Sequence, residues 1–169
     1  PPLADLLRPM RYAELYPPDD SDYHPTAVSQ TLFIDQLDRA AAETIMARLE
    51  ASDASMRVAQ IRVLGGAMAR VPADATAFAH RASRIMVNLA AFYTGPDDQA
   101  VRAAWVTDFT AALRQSDTGA YVNFLGEEGA DRVRAAYPGA TWDRLAAIKR
   151  RYDPANLFRL NQNIPPAAA

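Results

Sequence analysis

The sequence predicts an α+β fold: an antiparallel sheet of four or five strands with helices packed mainly on one face. Two observations carry this. Residues 84–93 read as a strand with apolar odd positions, Ile85, Val87, Leu89, Ala91 and Tyr93, and mixed even positions, Arg84, Met86, Asn88, Ala90 and Phe92. Side chains alternate across a strand, so one face is dry and the other mixed, as in an antiparallel sheet covered by helices on one side. In addition, apolar residues recur at helical spacing in several separate stretches between the β-prone ones.

Residues 1–26 are rich in Pro and Asp and read as a linker with one helical turn over residues 3–7. Residues 28–34 are β-prone. Leu37, Ala41, Ile45 and Leu49, with Met46 beside them, give an amphipathic helix over 36–51. Residues 58–64 read as a strand that Gly65-Gly66 breaks and 67–71 resumes, as in a bend or hairpin. Pro72-Ala73-Asp74 is a turn, and 76–81 reads as a short strand. Gly95-Pro96-Asp97 ends the 84–93 strand and starts a helix over 97–115, with Val101, Trp105, Phe109 and Ala112 facing inward. Residues 121–124 read as extended. Helices follow over 127–136 and 140–151, the second burying a stripe of Trp142, Leu145, Ile148 and Tyr152. Asp153-Pro154 joins an N-cap residue to proline at the first helical position, which predicts one turn over 154–158. The tail then runs extended through Asn163 to Pro166.

The 169 residues suit one domain, and a 50% hydrophobic content supports a sizeable core. The net charge of −2 advertises neither a nucleic acid nor a membrane as partner. From Asp131 to Arg151, six basic residues face two acidic ones, Asp131 and Asp143, which fits a solvated helix face or a patch facing a phosphate. Of the 18 basic residues only Lys149 is a lysine, a bias that with the abundant Ala points to a GC-rich genome. There is no cysteine, and His24 and His80 are the only histidines, so disulfides, thiolate chemistry and a structural zinc site are not expected, and no metal ligands are assigned. No apolar run approaches the roughly 18 residues that span a bilayer. The sequence opens at Pro1-Pro2 without a methionine, so its start carries no information on targeting. Nucleophile-elbow, zincin, P-loop and dinucleotide signatures are absent. The carboxylate pairs Asp19-Asp20, Asp97-Asp98 and Glu127-Glu128 lie in polar turns or at helix starts, where they favour the helix dipole.

Three places hold chemistry worth weighing. His80, in TAFAHR, fits either a hydrogen-bonded histidine near the sheet rim or a member of a ligand pocket. Tyr121 and Asn123, in YVNF, share one side of an extended segment. Asn161, Gln162 and Asn163 stand together between Leu160 and Ile164. Amides donate and accept at once, and each one buried without a partner costs about 1–3 kcal/mol. They therefore serve buried backbone groups or read a heterocycle that offers both donors and acceptors.

The stretch IKRRYDPANLFRLNQNIPP, residues 148–166, closely resembles the C-terminal signature of berberine bridge enzyme-like flavoproteins, FAD-linked oxidases of the vanillyl-alcohol oxidase fold group. GGAMARVPADATAFAHR at 65–81 and TGAYVNFLG at 118–126 agree with that family in order and spacing. The resemblance covers about residues 27–166. It implies that 27–152 is the substrate domain and that 153–166 is a tail returning to an FAD-binding domain, on the same or a separate chain. The cofactor implied is FAD, held mainly by that other domain. Tyr121, Asn123, Asn161 and Asn163 are then the flavin-proximal candidates. His80, Asn88 on the mixed face of the 84–93 strand, and Phe124 form part of the substrate-side floor.

One departure is informative. Many members carry a second tyrosine in a YxNY segment, which in several serves as catalytic base. Here that position is Phe124, which cannot take a proton. Either Tyr121 takes that role or the reaction needs no base at that place. The expected activity is hydride transfer from an alcohol, sugar or amine to flavin, by a chain inactive without its FAD domain. The partners expected are that domain and a small-molecule substrate, and a homo-oligomer is compatible. The alternative is a freestanding binding module, derived from the substrate domain, that takes a small molecule or protein without redox chemistry.

Overall fold

The computed structural model describes residues 7–16, 24–126 and 128–168. Nearly all of the helical turn expected over 3–7 lies outside them. Among the described residues, three strands form one antiparallel sheet in the order β1-β3-β2, with β1 at Thr26–Ile34, β2 at Arg57–Val63 and β3 at Ile85–Tyr93. The α+β class holds, but the sheet has three strands where four or five were expected.

The missing strands fall in the long connection between β2 and β3. Gly65 and Gly66 take φ of 145° and 59°, values that turn the chain out of a strand and that suit glycine. Met68–Arg70 is then a 3-10 turn, and 76–81 pairs with no strand. The carbonyls there find a side chain instead of a ladder. Arg81 donates from Nε to Phe78 O (3.0 Å), from Nη1 to Met68 O (3.4 Å) and from Nη2 to Thr76 Oγ1 (2.7 Å). Residues 121–124 likewise leave the extended conformation, because Val122–Phe124 forms a 3-10 turn closed by Phe124 N–H on Tyr121 O at 3.0 Å.

The dry face of β3 is covered as expected. Val87, Leu89 and Ala91 are fully buried with Leu32 and Ile34 of β1. Over them lie α1, Arg39–Ala51, and α2, Pro96–Leu113. Asp38 caps α1, accepting from Ala41 N–H at 2.8 Å. Ile45 is buried, Ala41 and Leu49 pack at its sides, and Leu37, ahead of the helix, and Met46 stay exposed. Gly95, with φ 82°, and Pro96 start α2. Its buried stripe is Val106, Phe109, Thr110 and Leu113, so the helix is turned from the expected stripe. Val101 and Ala112 are exposed, and Trp105 sits at the flank, its ring 5.2 Å from Phe109 and its Nε1–H on Arg48 O at 3.3 Å. A polar Thr110 at the centre of the buried stripe hid this rotation.

Two further helices, α3 at Ala130–Ala136 and α4 at Ala140–Tyr152, build a smaller core with Ala120 and Leu125. In α4 Thr141 and Ala146 are buried, Trp142 and Leu145 are half-buried, and Ile148 and Tyr152 face outward, contrary to the stripe expected there. Asp153 does cap a turn, taking N–H groups from Leu157 (2.7 Å) and Phe158 (3.0 Å), but no helix follows. Arg132 joins the two cores, donating to Thr31 O (2.8 Å) and Thr118 O (3.2 Å) while paired with Glu128 (3.0 Å).

Candidate functional site

The mixed face of the sheet is where polar side chains collect. Strand register sets Thr31 of β1 and Gln60 of β2 on either side of Asn88 of β3. This polar row crosses all three strands. Thr31 is fully buried, and its Oγ1 accepts the backbone N–H of Tyr121 at 3.4 Å. Asn88 Oδ1 is buried without a hydrogen-bond partner among the described residues. A buried carbonyl oxygen left so is a costly feature that calls for a partner. Thr31 and Gln60 were not legible as site residues, because only the register brings them beside Asn88; the alternation of Val58, Gln60 and Arg62 in β2 was the available signal.

The 64–84 connection and the 117–126 loop fold over one end of this face. Between them is a cleft of about 390 Å³ lined by Arg62, Leu64, Met68, Phe78, Arg81, Met86 and Tyr121. Tyr121 sits edge-on to Phe78, with ring centroids 5.9 Å apart, and tilted against Phe124 at 5.6 Å. Asn123 Nδ2 donates to Tyr121 Oη at 2.8 Å. The two side chains do share a side, through a 3-10 turn rather than the alternation of an extended chain. Phe124 lies beneath the Arg62 guanidinium, 4.7 Å from its carbon.

His80 is buried behind this cleft rather than lining it. Its ring stacks on Phe33 of β1 (4.7 Å) and meets Phe78 edge-on (5.9 Å), and Nε2 has no hydrogen-bond partner among the described residues. Burial pushes the imidazole below the ordinary histidine range, partly offset by the Asp117 carboxylate nearby. The unfolded chain therefore binds a proton more readily than the folded one. The stability contributed is present above about pH 6.5 and is lost as pH falls from there toward the lower folded-state value. The melting temperature is expected to drop between pH 7 and 5.5, and His80→Asn to flatten that slope in a pH series of thermal scans. Asp53, held down by Arg102, and Asp153, held down by Lys149, lose their contributions only at much lower pH. A slope that persists in His80→Asn would assign it to another group.

The tail supplies the second part of the site. Gln162 Nε2 donates to Leu125 O (2.7 Å) and Gly126 O (3.3 Å), which pins the tail against the 122–126 loop. Of the three amides, this one serves backbone groups of its own chain. Asn161 takes a left-handed φ of 58°, and its side chain is exposed. Asn is among the few residues that tolerate that conformation. Asn163 N–H closes on Asn161 O at 3.0 Å, and Asn163 Oδ1 is buried with no partner among the described residues. Asn123, Asn161 and Asn163 all border one open hollow of about 1120 Å³, together with Arg134 and Trp142. Tyr121 lies on the other side of the ridge, and its bond to Asn123 links the cleft to the hollow. His80 and Asn88 border neither.

Residues 120–165, which hold Tyr121, Asn123 and all three tail amides, match the family described as berberine and berberine like. The chain is 35% identical over 105 residues to the uncharacterized FAD-linked oxidoreductase YgaK of Bacillus subtilis, covering 62% of this chain and 23% of that one. It is 37% identical over 109 residues to the xylooligosaccharide oxidase of Thermothelomyces thermophilus, covering 60% of this chain and 22% of that one. The chain thus spans less than a quarter of the length of these relatives. In fold it resembles the BBE-like 1 protein of Physcomitrella patens, with a TM-score of 0.73 at 21% identity over 86% of this chain and 31% of that one. Residues 120–165 thus match the berberine and berberine like family, and the chain is similar to part of the length of FAD-linked oxidoreductases of that kind.

Proposed function

We propose that residues 27–152 are the substrate side, and 153–166 the cofactor-contacting tail, of an FAD-dependent oxidoreductase that oxidises an alcohol, sugar or amine. One observation carries this reading. Asn123, Asn161 and Asn163 border a single hollow next to Tyr121, and the Oδ1 of Asn163, buried at its edge, has no hydrogen-bond partner among the described residues. A ring system bearing both donors and acceptors would complete those amides. The amides of Asn123 and Asn161 and the orphaned oxygen of Asn163 suit such a group.

A bound flavin would supply the electron acceptor for hydride transfer. The chain's own residues do the rest. Asn161 and Asn163 would hold the cofactor from the tail, and Asn123 would hold the Tyr121 phenol in place. Tyr121, on the wall of the cleft, would orient the substrate and accept its proton, since Phe124 cannot. Leu64, Met68, Phe78 and Met86 would keep water from the reacting end.

The outward apolar residues support a further domain as partner. Tyr152, Leu157, Phe158 and Leu160 are 73%, 68%, 78% and 83% exposed and lie close together in sequence, an arrangement that favours a protein partner. In the proposal that partner is the FAD-binding domain, and the chain alone turns over nothing.

The test is the visible absorption and circular dichroism of the protein expressed from its intact reading frame. A yellow protein is expected, whose flavin dichroism changes in Asn163→Ala while the melting temperature stays within a degree or two. A colourless product would overturn the proposal in favour of a non-redox binding module. A flavin signal identical in Asn163→Ala would remove that residue from the cofactor site.

A further inference from the structure

Two guanidinium groups line the cleft at Tyr121, and they are not equivalent. Arg81 spends its donors on Phe78 O, Met68 O and Thr76 Oγ1, holding the 64–84 connection in shape. Arg62 makes no hydrogen bond or ion pair among the described residues; its only partner is the face of Phe124. That contact holds the guanidinium over the ring and leaves its N–H donors unspent. Strand β2 fixes the other end of the side chain, with Arg62 directly opposite the buried Met86. Among the described residues no carboxylate lines the cleft to neutralise the pair.

The remaining wall says what else the occupant needs. Leu64, Met68, Phe78 and Met86 are apolar, and among the described lining residues Tyr121 is the one neutral side chain able to hydrogen-bond. A neutral sugar chain entering this cleft would meet N–H donors but, among the described lining side chains, almost no acceptor for its hydroxyl protons, a loss that binding sites discriminate against strongly. An apolar body ending in a carboxylate meets every surface present: the body meets the methionines and Phe78, and the carboxylate meets the Arg62 fork in the two-point geometry that guanidinium favours. We propose that the substrate of this cleft is an alcohol or amine carried on an aryl or alkyl carboxylate, the carboxylate held by Arg62 and the alcohol or amine carbon giving up the hydride. This deepens the proposed function, on which it rests for the oxidation itself, though not for binding.

The experiment is isothermal titration of the intact protein with phenylacetate and with phenylacetamide, which match in size and differ in charge. Phenylacetate is expected to bind roughly tenfold more tightly or better, the range of a charge-assisted pair. That preference is expected to shrink as salt is raised. Arg62→Met should erase the preference, and Arg62→Lys, which keeps charge without the fork, should retain part of it. Equal affinities, no binding of either probe, or a preference that survives Arg62→Met would each overturn the proposal. Arg62 is exposed on an edge strand, and an unchanged melting temperature would confirm that the variants are folded. The absorption spectrum of the same sample separates the two ideas. A yellow protein without charge preference loses the carboxylate and keeps the oxidoreductase, and a colourless one that prefers phenylacetate does the reverse.

Discussion

Replacing Tyr121 by Phe is expected to lower the turnover of the flavin-loaded protein by about 10²–10⁴-fold, the range of a lost general base. The ring contacts survive the change, since Phe fills the same space against Phe78 and Phe124. What is lost is the phenol oxygen, which accepts from Asn123, on a residue that lines the cleft. A single exposed neutral hydrogen bond is worth only about 1 kcal/mol, so the fold should hold. The measurement is the rate of anaerobic flavin bleaching by substrate, which isolates the reductive step from reoxidation. Asn123→Ala serves as the second arm. It keeps the phenol but frees the ring, and is expected to cost less than Tyr121→Phe and to move kcat rather than substrate affinity. If Tyr121→Phe bleaches within a few-fold of the parent, the proton leaves by another route. Phe124 could not compensate, because it has no titratable group. The second reading of the sequence, that the reaction needs no base at this place, would then stand.

How much of this was legible beforehand depended on distance along the chain. The alternation in β3 and the Gly95-Pro96 start of α2 are local patterns, and they produced the right elements within a residue or two. The apparent strands at 67–71 and 76–81 are also locally plausible. What overrides them is Arg81, which reaches back to Met68 O and satisfies carbonyls that a strand would have offered to a neighbour. No local rule reports such a bond. The amides of the tail divide for the same reason. Gln162 looks like its neighbours in sequence, yet its partners, the carbonyls of Leu125 and Gly126, lie far back in the chain. The resemblance directed attention to Tyr121, Asn123, Asn161 and Asn163, and the fold sets the last three around one hollow. It gave no hint of Arg62, whose meaning comes from Phe124 beneath it and from the absence of acid among the described residues lining the cleft. His80 illustrates the opposite case. It was a candidate for the substrate floor, and it stands one layer back, stacked on Phe33.

That buried layer makes a glycine decisive. Gly119 is buried against the His80 ring, and a Cβ there would lie 2.6 Å from Nδ1, closer still to Cε1, and 2.9 Å from Asp117 Oδ1. Real Cβ atoms do not approach so near, so Gly119→Ala must displace something. Asp117 is held at both oxygens, by Ser83 Oγ (2.7 Å) and Gly119 N–H (2.7 Å), and His80 is held between Phe33 and Phe78. The ring can yield only by pushing on Phe78, which in turn meets Tyr121. Overpacking of this kind costs about 1–3 kcal/mol, and the loss is expected in chemical denaturation with an unchanged slope. Disturbance of Tyr121, two residues along, should weaken phenylacetate binding in the same variant. The decisive comparison is the double change His80→Ala with Gly119→Ala. If the collision is with the imidazole, removing that ring should make the alanine at 119 nearly harmless, and the two effects should fall short of their sum by about 1–3 kcal/mol. Simple additivity would mean that the glycine is needed for its backbone rather than for the space it leaves. The layer behind the cleft would then be independent of the loop that carries Tyr121.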